Sequence, residues 1–221
     1  MEQLSSTFYE KDATSFSSTR YAIWESVRNF TKIIYDDAYV LDAGCGNGKN
    51  MVFVSTNTNC RVKGVDKSEA LVDICRNDKD LDVDVGDICN LHYADNTFDI
   101  IMSIAVVHHI ETHIDRLNAL NELLRVLKPA GKLLITCWAH EMDEYSEKRR
   151  FTVGDNRVPF KKSTNDRFYY IFNQEIFNKF CNDVVKFQES SLENFISVDI
   201  FWEKGNWNAI FTKRTTKEIY C

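Results

Sequence analysis

Three aspartates, each closing an apolar run, carry the chemistry that stands out in this chain: Asp42 after Val40-Leu41, Asp66 after Gly64-Val65, and Asp87 in Val85-Gly86-Asp87-Ile88. Asp42 leads into Ala43-Gly44-Cys45-Gly46-Asn47-Gly48-Lys49, where three alternating glycines let the backbone approach a bound molecule. Free N–H groups at the start of a following helix favour polar or anionic ligand groups there. Asp66 stands 24 positions beyond Asp42. An acidic side chain at that strand end can accept hydrogen bonds from both hydroxyls of a ribose. Asp87 can accept from the exocyclic amine of an adenine while Ile88 covers the ring face, or it can simply cap a turn. The three positions together suit an adenosine-containing cofactor.

Spacing separates the glycine motifs that compete for this stretch. A dinucleotide fingerprint needs G-x-G-x-x-G and a phosphate loop needs G-x-x-x-x-G-K-[ST]. Here the pattern is G-x-G-x-G, and Gly48-Lys49 is followed by Asn50, so neither template fits.

The elements that must position these residues follow from periodicity. Trp24, Val27, Phe30 and Ile33/Ile34 recur at helical intervals, which predicts a helix packing an aromatic edge on a sheet. Strands are expected at 39–42, 61–66, 81–85, 96–103 and 131–138. Ser68 stands where the N-cap of the helix after Asp66 belongs. Leu117, Leu120, Leu123/Leu124 and Leu127 mark one face of a helix ending before Lys128-Pro129-Ala130-Gly131. Regular structure is expected to resume with a helix over 172–180, then strands 195–202 and 207–213 joined by Lys204-Gly205-Asn206. Alternating strands and helices imply an α/β, Rossmann-like, mostly parallel seven-stranded sheet with helices on both faces and a C-terminal antiparallel pair. Ala105, just past the fourth strand, falls on the carboxyl edge where ligands gather.

With 221 residues the chain suits a single domain, residues 1–221, carrying a helical lid over 1–37 and a polar insertion over 139–168. No run is long and apolar enough to span a bilayer, and the start lacks the basic-then-apolar layout of a signal peptide, so a cytoplasmic setting without membrane attachment is expected. The seven cysteines include no C-x-x-C pair, which argues against a disulfide framework and a four-thiolate zinc site. No metal is assigned. The net charge of −6 is unlike that of a free-standing nucleic-acid binder, yet Lys148 to Arg167 holds seven basic residues against two acidic ones. That segment is either a solvated loop or a flap that contacts phosphate. Ser17-Ser18-Thr19-Arg20-Tyr21 reads either as turn chemistry or as part of a lid.

Leu41-Asp42-Ala43-Gly44-Cys45-Gly46-Asn47-Gly48-Lys49, Asp66, Gly86-Asp87-Ile88, Phe98-Asp99 and Arg125 to Gly131 resemble the class I S-adenosylmethionine-dependent methyltransferases over residues 38–138. A narrower resemblance rests on Phe16 to Tyr21 with Trp24, Ser103 to Ile110 with its His108-His109 pair, Trp138-Ala139, Val158-Pro159-Phe160 and Arg167-Phe168-Tyr169-Tyr170. These are similar to the eukaryotic tRNA wobble-uridine carboxymethyl methyltransferases. Ala22-Ile23, Phe160 and Tyr170 depart from that family's Lys-Pro, Trp and His, and the basic insertion is shorter.

The resemblance implies methyl transfer from S-adenosylmethionine to the carboxylate of 5-carboxymethyluridine in tRNA, with a small zinc-binding activator protein as heterodimer partner. It would place Asp42, Gly44, Gly46, Asp66, Lys67, Asp87, Ile88 and Ala105 around the donor. Arg20, Tyr21, His109, Trp138, Arg167 and Tyr169 would serve the acceptor, Arg20 orienting the carboxylate and Arg167 with Lys161/Lys162 holding phosphate. Either arginine could instead form a surface ion pair. A small-molecule methyltransferase and a non-catalytic, methyltransferase-like subunit are the alternatives.

Overall fold

The computed structural model describes residues 13, 22–142, 150–159, 166–190 and 195–214. Arg20, Tyr21, Phe160, Lys161 and Lys162 lie outside these described residues. Helix α1 (Glu25–Thr31) precedes strand β1 (Tyr39–Ala43), and then α2 (Lys49–Asn57), β2 (Arg61–Asp66), α3 (Glu69–Lys79) and β3 (Val83–Val85) alternate. After β4 (Phe98–Ile104) come a single 3-10 turn at Val107–His109, α4 (His113–Val126) and β5 (Leu127–Trp138). The chain closes with β6 (Gly154–Pro159), β7 (Asp166–Ile171), α5 (Gln174–Ser190), β8 (Phe195–Glu203) and β9 (Asn206–Arg214).

Seven strands form one sheet in the order β3-β2-β1-β4-β5-β9-β8. The five from β3 to β5 run parallel, and β9 returns antiparallel beside β5, as the expected class I layout requires. This order reverses between β1 and β4, so the carboxyl ends of β1, β2 and β4 open onto a common crevice. On one face Leu41, Ile101, Leu133 and Phe211 pack on the apolar stripe Leu120, Leu123 and Leu124 of α4 and on Phe177 and Phe180 of α5. On the other, Val27 and Phe30 of α1 cover Val40, Ile100, Met102 and Leu134. Ile33, counted with the stripe of α1, lies beyond its end and is exposed. Ser68 caps α3 by accepting the Leu71 N–H, as its position predicts. No described helix is long and apolar enough to cross a membrane.

Several boundaries differ from the periodic reading: β4 runs over 98–104 rather than 96–103, and β5 starts at Leu127, expected on the helix, rather than at 131. The edge strand is shorter than 81–85, since only Val83–Val85 pairs with β2. The late helix starts at Gln174 rather than 172, because Phe172 is still extended and bridges Ala139. The basic insertion is not structureless in its described part: β6 and β7 pair antiparallel from Gly154↔Ile171 to Pro159↔Asp166. Strand β6 alternates half-buried and exposed residues without an apolar face, so hydrophobic periodicity carries no signal there.

Candidate functional site

After β1 the chain turns through Gly44, Gly46 and Gly48, all at positive φ. Gly44, at φ +78°, has no room for a side chain, since a Cβ would lie 2.5 Å from Val106 Cγ2. The loop is held from below. Gly44 and Cys45 N–H groups donate to the Val65 carbonyl at 2.8 and 3.1 Å, and the Gly46 N–H donates to Asp66 Oδ2 at 2.7 Å. Asp66 Oδ1 accepts from the Ser68 N–H at 3.0 Å. These two donors fix the carboxylate at the end of β2. Each oxygen accepts more than one hydrogen bond, so the arrangement is compatible with ribose hydroxyls as further donors.

The next strand end supplies the second acid. Asp87 Oδ2 pairs with Lys67 Nζ at 2.8 Å while Oδ1 accepts from the Cys89 N–H at 2.9 Å. Burial pulls the Asp87 carboxyl upward, but Lys67 and the Cys89 amide outweigh it and keep its pKa below the ordinary value. Beside β4, Ala105 adopts a left-handed φ of +61°, held by its N–H donating to the Thr136 carbonyl at 3.0 Å and to Thr136 Oγ1 at 2.9 Å. A non-glycine residue there costs about 1–3 kcal/mol, and such strain gathers at ligand sites.

Asp42 lies beneath the loop, fully buried, and neither carboxylate oxygen has a hydrogen-bond partner among the described residues. Burial first, then repulsion from Asp66, raises its pKa to about 7, with Lys49 opposing. A carboxyl whose folded pKa exceeds its unfolded value of about 3.9 stabilises the fold fully below that value and loses this contribution as pH rises toward about 7. Asp42→Asn is therefore expected to raise the melting temperature most near pH ~8, with the advantage vanishing toward pH ~4 and an underlying effect on the order of a few kcal/mol. Melting curves across that range check it, and a pH-independent difference would refute it.

The opposite end of the crevice is aromatic. Trp138, at the end of β5, and Tyr169, on β7, stack with centroids 4.4 Å apart and planes 9° off parallel. Phe151 lies 5.3 Å from Trp138, and His109 leans on Tyr169 at 4.3 Å. The 3-10 turn separates the two histidines. His108 turns inward, is fully buried, and accepts the Trp138 N–H on Nδ1 at 3.1 Å. His109 Nδ1 meets the Phe168 carbonyl at 2.9 Å. A carbonyl only accepts, so that Nδ1 carries a proton. Both histidines thus tie the end of β5 to the β6–β7 ribbon.

One cavity of about 320 Å³ joins the two ends. Of the residues expected to hold the donor, Gly44, Gly46, Asp66, Lys67, Asp87, Ile88 and Ala105 line it, and Asp42 sits behind them. Of those expected at the acceptor, His109, Trp138 and Tyr169 line it. Arg167 does not. Its side chain is 5 % exposed, with its guanidinium 5.3 Å from the Tyr169 ring centroid. Such burial suits bracing the aromatic wall rather than reaching a solvent-borne phosphate, whereas Arg157 on β6 is exposed. Trp24, Asn47, Lys49, Cys89 and His108, to which the sequence assigns no role at the site, also line the cavity. Lys49 and Asn47 sit within the glycine motif itself, the signal that could have found them. Lys49 Nζ donates to the Ala22 carbonyl at 2.8 Å and lies 5.8 Å from the Trp24 ring centroid, linking the approach to α1 with the loop.

The donor end therefore has a close-approach backbone, a fixed carboxylate at β2 and another at β3, which fits an adenosine-bearing cofactor. Residues 41–135 match a family described as a methyltransferase domain. A tRNA (carboxymethyluridine(34)-5-O)-methyltransferase of Arabidopsis thaliana is 42 % identical over 144 residues, covering 65 % of this chain and 35 % of the relative. The chain thus spans about a third of that relative's length. A protein of Encephalitozoon cuniculi named as a methyltransferase is 32 % identical over 184 residues, 80 % of this chain and 83 % of the relative. Among solved structures, the complex between the Haloferax volcanii Trm112 methyltransferase activator and a methyltransferase has a TM-score of 0.64 at 15 % identity, covering 96 % of this chain and 98 % of that one. The glycine loop, the acids at β2 and β3, the sheet order and these matches agree: the chain belongs to the class I methyltransferases, whose cofactor is S-adenosylmethionine.

Proposed function

We propose that the chain methylates the carboxylate of 5-carboxymethyluridine at the wobble position of tRNA, acting with a small zinc-binding activator protein. The observation that carries this reading is the continuity of the donor cavity with a wall of Trp138, Tyr169 and His109, over which a ribbon bearing the exposed Arg157 is folded. The likeness to the Arabidopsis enzyme supports the acceptor. A flat aromatic wall suits a nucleobase, and exposed cations on a ribbon suit the phosphates around it.

When bound, S-adenosylmethionine supplies an electrophilic methyl group on a sulfonium. The acceptor carboxylate is already ionised at neutral pH, so no side chain would have to act as a general base for it to take that methyl group as an ester. The protein's task is alignment and exclusion of water. Trp138, Tyr169 and His109 would confine the acceptor, while Asp66 and the glycine loop fix the donor. Arg20, outside the described residues, remains our candidate for orienting the carboxylate through paired hydrogen bonds.

The activator is assigned to the β3 edge. Only three residues of β3 pair, all with β2, and Val85 is 42 % exposed. An open edge can take a further strand through backbone hydrogen bonds. The Haloferax complex supports a partner of this kind on this fold.

The deciding experiment transfers labelled methyl from S-adenosylmethionine, with and without a Trm112-type activator, to tRNA from cells lacking the enzyme. Label is expected in a base-labile ester of carboxymethyluridine, and more of it with the activator. Intact donor binding with no label in tRNA would redirect the assignment to small acids.

A further inference from the structure

The glycine loop rests on two thiols that the methyl-transfer chemistry does not use. Cys45 and Cys75 come from different elements and meet at the Gly46 carbonyl. Cys75 Sγ donates to that oxygen at 3.2 Å, and Cys45 Sγ lies 4.0 Å from it. The two side chains belong to one buried cluster with Met51, Val72 and Val83. Cys45 forms part of the cavity wall, whereas Cys75, on α3, is fully buried behind it with Val72 and Val83. The neighbouring Cys45 thiol, aided by the charge of Lys79, draws the Cys75 thiol below its ordinary pKa against the effect of burial, while Cys75, burial and the nearby aspartates hold the Cys45 thiol well above it. None of the six described cysteines is in a disulfide.

We propose that Cys45 and Cys75 are a redox modification site: peroxide entering through the donor cavity, before the cofactor fills it, links them in a reversible disulfide that weakens donor binding. One thiolate attacks a peroxide oxygen; the O–O bond breaks and, with a proton, the first water leaves. The second thiol displaces hydroxide from the resulting sulfenic acid, and its proton leaves in the second water. Two thiols and one peroxide thus give one disulfide and two waters. In a reducing compartment such a bond is transient and suits regulation rather than structure.

The consequence follows from the Gly46 peptide. Its carbonyl accepts from Cys75 and its N–H donates to Asp66 Oδ2. Oxidation removes the thiol donor and pulls Cys45 toward α3, so the loop and the ribose-facing carboxylate lose their shared alignment. The cofactor, once bound, shields Cys45 and opposes the reaction. This inference rests on the donor reading of the cavity and not on the identity of the acceptor.

The test uses the full chain, reduced, then exposed to hydrogen peroxide with and without S-adenosylhomocysteine, alkylated, and digested without reductant. A peptide pair linked through Cys45 and Cys75 is expected, and it should be suppressed by the ligand. Calorimetry should show affinity for S-adenosylhomocysteine falling about tenfold or more and returning after dithiothreitol, the scale of one or two lost hydrogen bonds at the site. Cys75→Ser keeps a hydroxyl for Gly46 but cannot form the link, so whatever affinity it has before peroxide is expected to be kept afterwards. Absence of the linked pair while other cysteines oxidise, or an equal loss of affinity in Cys75→Ser, overturns the proposal. If Cys75→Ser does not fold, ligand-suppressed cross-linking in the parent chain decides it. The link is read by mass and needs no methyl acceptor, so failure of the tRNA reading leaves this result standing.

Discussion

Asp66→Ala is expected to remove measurable binding of S-adenosylhomocysteine while leaving the chain folded. The carboxylate stands at the end of β2 with Gly46 N–H on one oxygen and Ser68 N–H on the other. Its loss therefore takes away the two acceptors offered to the ribose and also unties the glycine loop. Hydrogen bonds to a charged group contribute about 1.5–3 kcal/mol each, so losing two corresponds to roughly a hundredfold weaker binding or more. The replaced side chain is half-buried rather than core, so the helix content by circular dichroism should be kept. Asp66→Asn offers a sharper comparison. Its amide presents a donor to one of two backbone N–H groups, so it should bind far more weakly than the parent although its shape is conserved. Calorimetry on both variants checks this, and Asp66→Ala retaining affinity within about threefold would remove Asp66 from the donor site.

That expectation was legible in the sequence because its cause is local. A strand that ends in an acid, 24 positions after another strand that ends in Asp-x-Gly, places both on one sheet edge whatever the side-chain packing. The parallel sheet followed from the alternation of strands and helices, and the Ser68 cap from its place just after the second strand. The acceptor end was legible only as residue types. Nothing in the dipeptide His108-His109 says which ring turns inward; the 3-10 turn decides it, with His108 buried against Trp138 and His109 left against Tyr169. Arg167 looked like a surface cation because it closes a basic run. Its place two residues before Tyr169 on a strand puts both side chains on the same face, and that face is covered by Trp138 and His109. The Cys45–Cys75 contact was illegible for a plainer reason: two residues 30 apart in a chain without C-x-x-C spacing meet only when α3 packs beneath the glycine loop.

The donor and acceptor ends can be separated by a second substitution, because Tyr169 itself supports none of the donor residues. The donor end hangs from β1, β2 and β3, with Ala105 beyond β4, whereas Tyr169 is carried by β7 and braced by Trp138, His109 and Arg167. Tyr169→Ala is thus expected to leave affinity for S-adenosylhomocysteine within about threefold of the parent and to cut methyl transfer to tRNA by roughly a hundredfold or more, since misplacing reacting groups by about an ångström has effects of that size. Replacing a buried aromatic by alanine also costs about 3–5 kcal/mol of stability, so the melting temperature should fall together with the activity. Tyr169→Phe discriminates between these effects. It keeps the ring stacked on Trp138 and should restore stability; if wall shape is what aligns the acceptor, transfer recovers as well. Recovery of stability without recovery of transfer would assign the phenolic hydroxyl a direct contact with the acceptor. Equal loss of donor affinity and transfer in Tyr169→Ala would instead show that the two ends form one unit, and would withdraw the division of the cavity on which the proposed acceptor pocket depends.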